Sequence, residues 1–239
     1  MQSSPLPRRL LAEFLGSALL AALVIGSGIA AAQLSDDVGL QLLENAAATA
    51  AGLFAIILMF GPISGAHFNP VVSLADAAFG GLSWKGAATY IPAQVAGCIA
   101  GAVLANGMFE LAAVSISETH RASGGHLLAE VVATVGLLLV IFSLIRSGRA
   151  STAPAAVGAY IGAAYWFTSS TSFANPAITV GRMFSDTFAG IAPASAPAFV
   201  AMQLLGLAAA IALIRALYPD VTPEQAADVV FPHAKEPAR

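Results

Sequence analysis

The sequence predicts an all-α membrane protein: six transmembrane helices plus two half-helices, folded as two inverted repeats. Three observations lead there. The 239 residues are 58% hydrophobic and only 10% charged, with a mean hydropathy of +0.81. A soluble domain carries about 25% charged residues, so the deficit places the chain in lipid. Six apolar stretches reach the roughly 20 residues that a helix needs to cross a bilayer. Two Asn-Pro dipeptides, Asn69-Pro70 and Asn175-Pro176, interrupt this apolar sequence at matching places in the two halves.

The spans read as 10–32, 42–61, 87–109, 126–144, 153–170 and 194–217. Arg8-Arg9 before an apolar run ending in Ala30-Ala31-Ala32 has the outline of a signal peptide. The run is long for one and contains Glu13, so it reads as a retained helix. Arg8, Arg9, Lys85, Arg146, Arg149, Arg215, Lys235 and Arg239 fall on one side if the spans alternate, whereas Arg121 and Arg182 fall on the other. The Lys/Arg-rich side is cytoplasmic, which puts both termini inside and makes the chain a multi-pass protein of the cell (inner) membrane. Trp84 and Tyr218 suit the inner headgroup belt and Trp166 the outer one.

Between the spans, each Asn-Pro opens a shorter element. Asn is a favoured N-cap, and Pro is tolerated at the first helical position, where its missing N–H would be unpaired anyway. Half-helices are therefore expected over 71–78 and 177–184. The polar loops before them survive at membrane depth only when buried in protein or lining a wet cavity. The halves also echo one another. Ala12-Glu13-Phe14-Leu15-Gly16 pairs with Ala129-Glu130-Val131-Val132-Ala133, and Ala93-Gln94-Val95-Ala96-Gly97 with Met202-Gln203-Leu204-Leu205-Gly206. With an odd number of spans per half, the copies insert in opposite senses. Residues 1–125 form the first repeat, 126–218 the second, and 219–239 a cytoplasmic tail. In that tail Thr222, Pro223 and Gln225 fit a capping box.

Composition excludes several classes. Net charge −3 offers no basic patch, so nucleic acid is not a partner. One cysteine, Cys98, and four scattered histidines give no intrachain disulfide and no metal-ligand spacing. No nucleophile–base pair or phosphate loop is visible, so an enzyme is not expected and neither is a cofactor. Secondary transporters also use broken helices and inverted repeats, and that class is the rival reading. Against it, 239 residues leave little room for a moving scaffold.

As N-caps, Asn69 and Asn175 would leave their amide NH2 groups to donate into a lumen, while two half-helix N-termini oppose cations and protons. The backbone carbonyls of Gly65, Ala66, His67 and Phe68, and of Ser172, Phe173 and Ala174, would present acceptors from extended loop segments. Glu13 and Glu130 are ionisable groups within spans. They read as structural support, with a proton relay as the alternative.

The stretches Ser64-Gly65-Ala66-His67-Phe68-Asn69-Pro70-Val71 and Ser172-Phe173-Ala174-Asn175-Pro176-Ala177 resemble the aquaporin and glycerol-facilitator superfamily. Its hallmark is a pair of Asn-Pro-Ala loops meeting at the centre of a pore. The likeness is close over 64–73 and 172–179, and collinear from about 9 to 218. Val71 departs from the first motif. The resemblance implies a carbonyl ladder, glutamates that hold the loops from behind, a lumen position for His67, and fourfold assembly with one pore per subunit. It also implies an arginine after the second motif, where this chain has Ile178. Counting from the asparagines, the other outer-filter positions fall at Thr49, at Gly162 or Ala163, and at Ser172 or Phe173. Such a filter is wide and weakly polar. Arg182 lies one turn beyond Ile178 and serves either as a vestibule substitute for the absent arginine or as a snorkelling interface residue. Residues 146–182 resemble a divergent bacterial branch associated with arsenic resistance. The resemblance implies a passive channel for small neutral solutes: metalloid acids such as arsenite, polyols such as glycerol, and some water.

Overall fold

The computed structural model describes residues 4–219. The tail predicted over 219–239 lies outside the described residues apart from Pro219. Eight α-helices run in the order α1 (Leu6–Leu34), α2 (Val38–Ser64), α3 (Pro70–Phe79), α4 (Trp84–Met108), α5 (Gly124–Arg146), α6 (Ala153–Phe167), α7 (Pro176–Gly181) and α8 (Ala196–Leu217). Helices α1, α2, α4, α5 and α8 are each long and apolar enough to span a bilayer. The sixth span, α6, is 15 residues long and is extended by a 3-10 turn over Ala150–Thr152. Helices α3 and α7 are the half-helices. The second is shorter than expected, with only six α-helical residues before a 3-10 turn over Arg182–Phe184.

Local chemistry sets these boundaries. Asp37 caps α2 by accepting from the N–H groups of Gly39 and Leu40, and Gly65 closes the same helix in the left-handed conformation at φ 88°. Ser83 and Ser123 cap α4 and α5 in the same way as Asp37 caps α2. Long helices in lipid gain little from hydrophobic contact with one another, because lipid tails are equally apolar, so close packing has to hold them. Small residues supply it. A Cβ on Gly97 or Gly101 of α4 would overlap the backbone carbonyl of Phe14 or Ala18 on α1, and Gly158 of α6 lies against the Ala50 carbonyl of α2.

Gly206 of α8 repeats the device against α5. A Cβ there would lie 2.8 Å from Thr134 Cβ and 3.0 Å from the Val131 carbonyl. Gly206→Val should therefore force the helices apart at a cost of about 1–3 kcal/mol. Heating the purified protein and following the monodisperse fraction by size exclusion should show an earlier loss for Gly206→Val. Gly107→Val, at a site with open space around it, serves as the control. Equal loss in both would remove the packing argument.

The outward helix faces carry Leu11, Leu15, Leu19, Leu58, Leu128 and Leu205, all exposed, and Trp84 and Trp166 are exposed near helix ends. An apolar exterior of this kind is what a bilayer requires. The chain is an integral multi-pass membrane protein, and its polar side chains are gathered inside.

Candidate functional site

The interior is organised twice over by the same motif. Glu13 of α1 is fully buried, and its two oxygens accept four hydrogen bonds: Ser64 Oγ at 2.6 Å, His67 N at 3.0 Å, Phe68 N at 2.8 Å and Gln94 Nε2 at 2.8 Å. Glu130 of α5 accepts Phe173 N at 3.0 Å, Ala174 N at 2.9 Å and Gln203 Nε2 at 2.6 Å. Gln94 reaches on to Ser73 Oγ and Gln203 to Thr179 Oγ1, each at 2.9 Å. These bonds satisfy loop N–H groups that have no helix or sheet to pair with. Neither glutamate lines the cavity, which suits the supporting position rather than a relay.

The sequence suggested extended loop segments, and the structure corrects this. Ala66 and Phe68, and in the mirrored loop Ser172 and Ala174, take positive φ between 47° and 52°, with Thr171 at 60°. Non-glycine residues pay roughly 1–2 kcal/mol each for that conformation. Alternating signs of φ turn successive N–H groups toward the glutamate behind, and the carboxylate bonds offset the strain.

The two loops meet. Asn69 caps α3 by accepting from Val71 N at 3.0 Å, and Asn175 caps α7 by accepting from Ala177 N at 2.9 Å and Ile178 N at 3.2 Å. Each amide nitrogen then crosses to the other loop. Asn69 Nδ2 donates to the Ala174 carbonyl and Asn175 Nδ2 to the Phe68 carbonyl, both at 2.8 Å. This corrects the expectation that both N–H groups of each amide are free: one is spent across the interface and one remains. The same bonds occupy the carbonyls of Phe68 and Ala174. Pro70, Val71, Pro176 and Ala177 pack behind the asparagines and do not reach the cavity.

One cavity runs past both asparagines. At one end it is lined by Ala66, His67 and Phe68, and at the other by Thr49, Ser172, Phe173, Ile178 and Arg182, with Leu20, Leu53, Leu137 and Ile141 among its apolar wall. Gly65 and Ala174 of the expected ladder are not part of the lining. Nor are Gly162 and Ala163. Gly162 packs on Ala50 of α2 and Ala163 is exposed outside the bundle, so the position assigned to them belongs to other residues. Ile161 and Tyr165 of the same helix face the lumen instead, and the Tyr165 hydroxyl lies 3.3 Å from Thr49 Oγ1. Ser172 Oγ is buried with no partner.

Arg182 is 3% exposed and lines the cavity, so it is not an interface residue. Its Nε donates to the Ala189 carbonyl, and its guanidinium carbon stacks 3.5 Å from the centre of the Phe173 ring. Three residues escaped the sequence reading. Nothing in the sequence sets Tyr165 apart from its neighbours Trp166 and Phe167. Arg121 sits in a loop yet donates to the carbonyls of Gly190 and Phe188, and lies 5.6 Å from the same Phe173 ring. Asp76 of α3 is fully buried, with His67 Nε2 3.5 Å from its Oδ2. His67 also meets Ser73 Oγ through Nδ1 at 3.0 Å, close to where Tyr90 bridges Arg9 Nε and the Ser64 carbonyl. Seven residues beyond each motif asparagine, then, the first repeat carries Asp76 and the second Arg182. No group of three potential metal ligands occurs among the described residues.

The chain is similar to known proteins. Residues 1–173 match the family described as Major intrinsic protein. The aquaglyceroporin AqpS of Rhizobium meliloti is 48% identical over 223 residues, covering 93% of this chain and 95% of its own length. The glycerol uptake facilitator protein of Pseudomonas aeruginosa is 33% identical over 214 residues, with 77% and 75% covered. Among solved structures, the aquaglyceroporin from Plasmodium falciparum superposes with a TM-score of 0.69 over 91% of this chain and 97% of its own, at 21% identity, a likeness in fold. Mirrored glutamate cradles, crossed asparagines and a cavity between them, together with these matches, mean that the chain belongs to the major intrinsic protein family of membrane channels.

Proposed function

We propose that this channel carries small neutral solutes passively: metalloid acids such as arsenous acid, polyols such as glycerol, and some water. One observation carries the reading. The cavity's polar strip, made by the remaining N–H groups of Asn69 and Asn175 with the hydroxyls of Thr49, Tyr165 and Ser172, and with His67 and Arg182 toward its two ends, runs along a wall that is otherwise aliphatic and aromatic. A hydroxyl-rich solute can exchange water for these partners on one side while its carbon or metalloid face lies against the apolar wall. The N-termini of α3 and α7 add positive potential at the asparagines, a device by which such pores turn back protons and cations. Ile178 leaves the constriction without the guanidinium that would narrow it at that position, which favours solutes larger than water.

In this reading Arg182 belongs to the outer vestibule, both termini are cytoplasmic, and the protein sits in the inner membrane as a homotetramer with a pore in each subunit. Repeats 1–125 and 126–218 would each contribute one loop. The test is reconstitution into proteoliposomes, with light scattering for water and glycerol and tracer uptake for arsenite. Glycerol and arsenite should enter down their gradients at rates linear in concentration and indifferent to an uncoupler. Saturation at low solute with collapse under the uncoupler would replace the channel by a secondary transporter.

A further inference from the structure

We infer that the Arg182 end of the cavity is a binding site for a small monovalent carboxylate or oxyanion. Part of this stands on the proposal above, since it places the ligand on the solute's path, but the site itself follows from charge and hydrogen-bond accounting.

Arg182 is a buried cation without a counterion. The only hydrogen bond its guanidinium makes among the described residues runs from Nε to the Ala189 carbonyl, which leaves both terminal nitrogens without a protein acceptor there. Glu130, which cradles the loop that carries Phe173, has its oxygens taken by Phe173 N, Ala174 N and Gln203. Arg121 is a second cation on the same ring, and among the described residues its guanidinium donates to carbonyls alone. No carboxylate lines the cavity. Buried charges are normally paired, and two guanidinium groups sharing Phe173 without an acid between them form an incomplete site.

The missing partner has a definable shape. A guanidinium presents a planar fork that matches a carboxylate or a planar oxyanion with two parallel hydrogen bonds. Phe173 covers one face of the Arg182 fork, so the ligand must approach edge-on from the lumen. The hydroxyls of Thr49, Tyr165 and Ser172 line the same end and can donate to a second oxygen. Ile178 lines the same end and offers no polar partner, so the ligand's hydrogen bonds fall to Arg182 and the three hydroxyls. Arg121 is a positioning residue. Its bonds to Phe188 and Gly190 fix the loop whose Ala189 carbonyl holds Arg182.

Formate is the probe. In proteoliposomes at constant ionic strength, with gluconate as the replacement anion, rising formate should depress glycerol flux saturably. Arg182→Met should weaken the apparent formate affinity at least tenfold, and Arg182→Lys, which keeps the charge without the fork, by a few-fold. Calorimetry on the detergent-solubilised wild type should show one saturable formate site per chain, lost in Arg182→Met. Formate acting alike on wild type and Arg182→Met, or no calorimetric site in the wild type, would overturn the inference. If the wild type passes no glycerol yet binds formate through Arg182, the site stands and the channel proposal fails. Should Arg182→Met prove unstable, Tyr165→Phe is the second variant: it should weaken formate binding by a few-fold, and unchanged affinity would count against the site.

Discussion

Glu13→Ala is expected to leave no folded, monodisperse protein, and Glu130→Ala nearly none. Each carboxylate is the common acceptor for the loop that leads into a half-helix, and Glu13 takes four hydrogen bonds where a methyl group can take none. A buried donor left without a partner costs about 1–3 kcal/mol, and two of the four are backbone N–H groups that cannot turn away. The positive-φ conformations of Ala66 and Phe68 would then lack what holds them. Gln at either position restores shape and one acceptor oxygen, so Glu13→Gln should recover part of the folded yield. The measurement is folded yield after detergent extraction. A well-folded Glu13→Ala protein with altered proton leak would instead identify the glutamate as a relay.

The second large effect is on selectivity. Ile178→Arg places a guanidinium in the lumen one turn before Arg182, at the end that Tyr165 and Thr49 also line. The added side chain takes up cavity space, and the two like charges repel across the turn, so the new one is driven toward the lumen axis. Glycerol and arsenite flux should fall at least tenfold, with water flux falling about threefold or less. Scattering and tracer assays on the same vesicles give the ratio. An unchanged ratio would mean that the passage is gauged elsewhere along the conduit.

Much of this was legible in the residue string because the chain states its plan twice. A lone Asn-Pro or a lone buried glutamate would carry little, but Asn69 with Asn175, Glu13 with Glu130 and Gln94 with Gln203 fall in matched places, and the structure joins them by matched bonds. What escaped reading lies where the copies differ or where geometry overrides residue preference. Nothing at Ala66, Phe68, Ser172 or Ala174 announces a left-handed backbone, since glycine occupies none of these positions. Counting back along α6 reached Gly162 and Ala163, one helical face away from the lumen, because the helix orientation depends on Gly158 and Gly162 packing against α2. Arg121 is in a loop whose tertiary bonds, to the carbonyls of Phe188 and Gly190, have no local signal.

The unlike pair seven residues past the two asparagines has a consequence of its own. A duplicated fold with its copies upside down looks the same from either face of the membrane, apart from whatever breaks the likeness. Here an acid stands where its twin is a base, Asp76 beside His67 and Arg182 beside Phe173. Of the two only Arg182 reaches the conduit, while Asp76 stays behind His67, so a traveller meets an imidazole at one door and a guanidinium at the other.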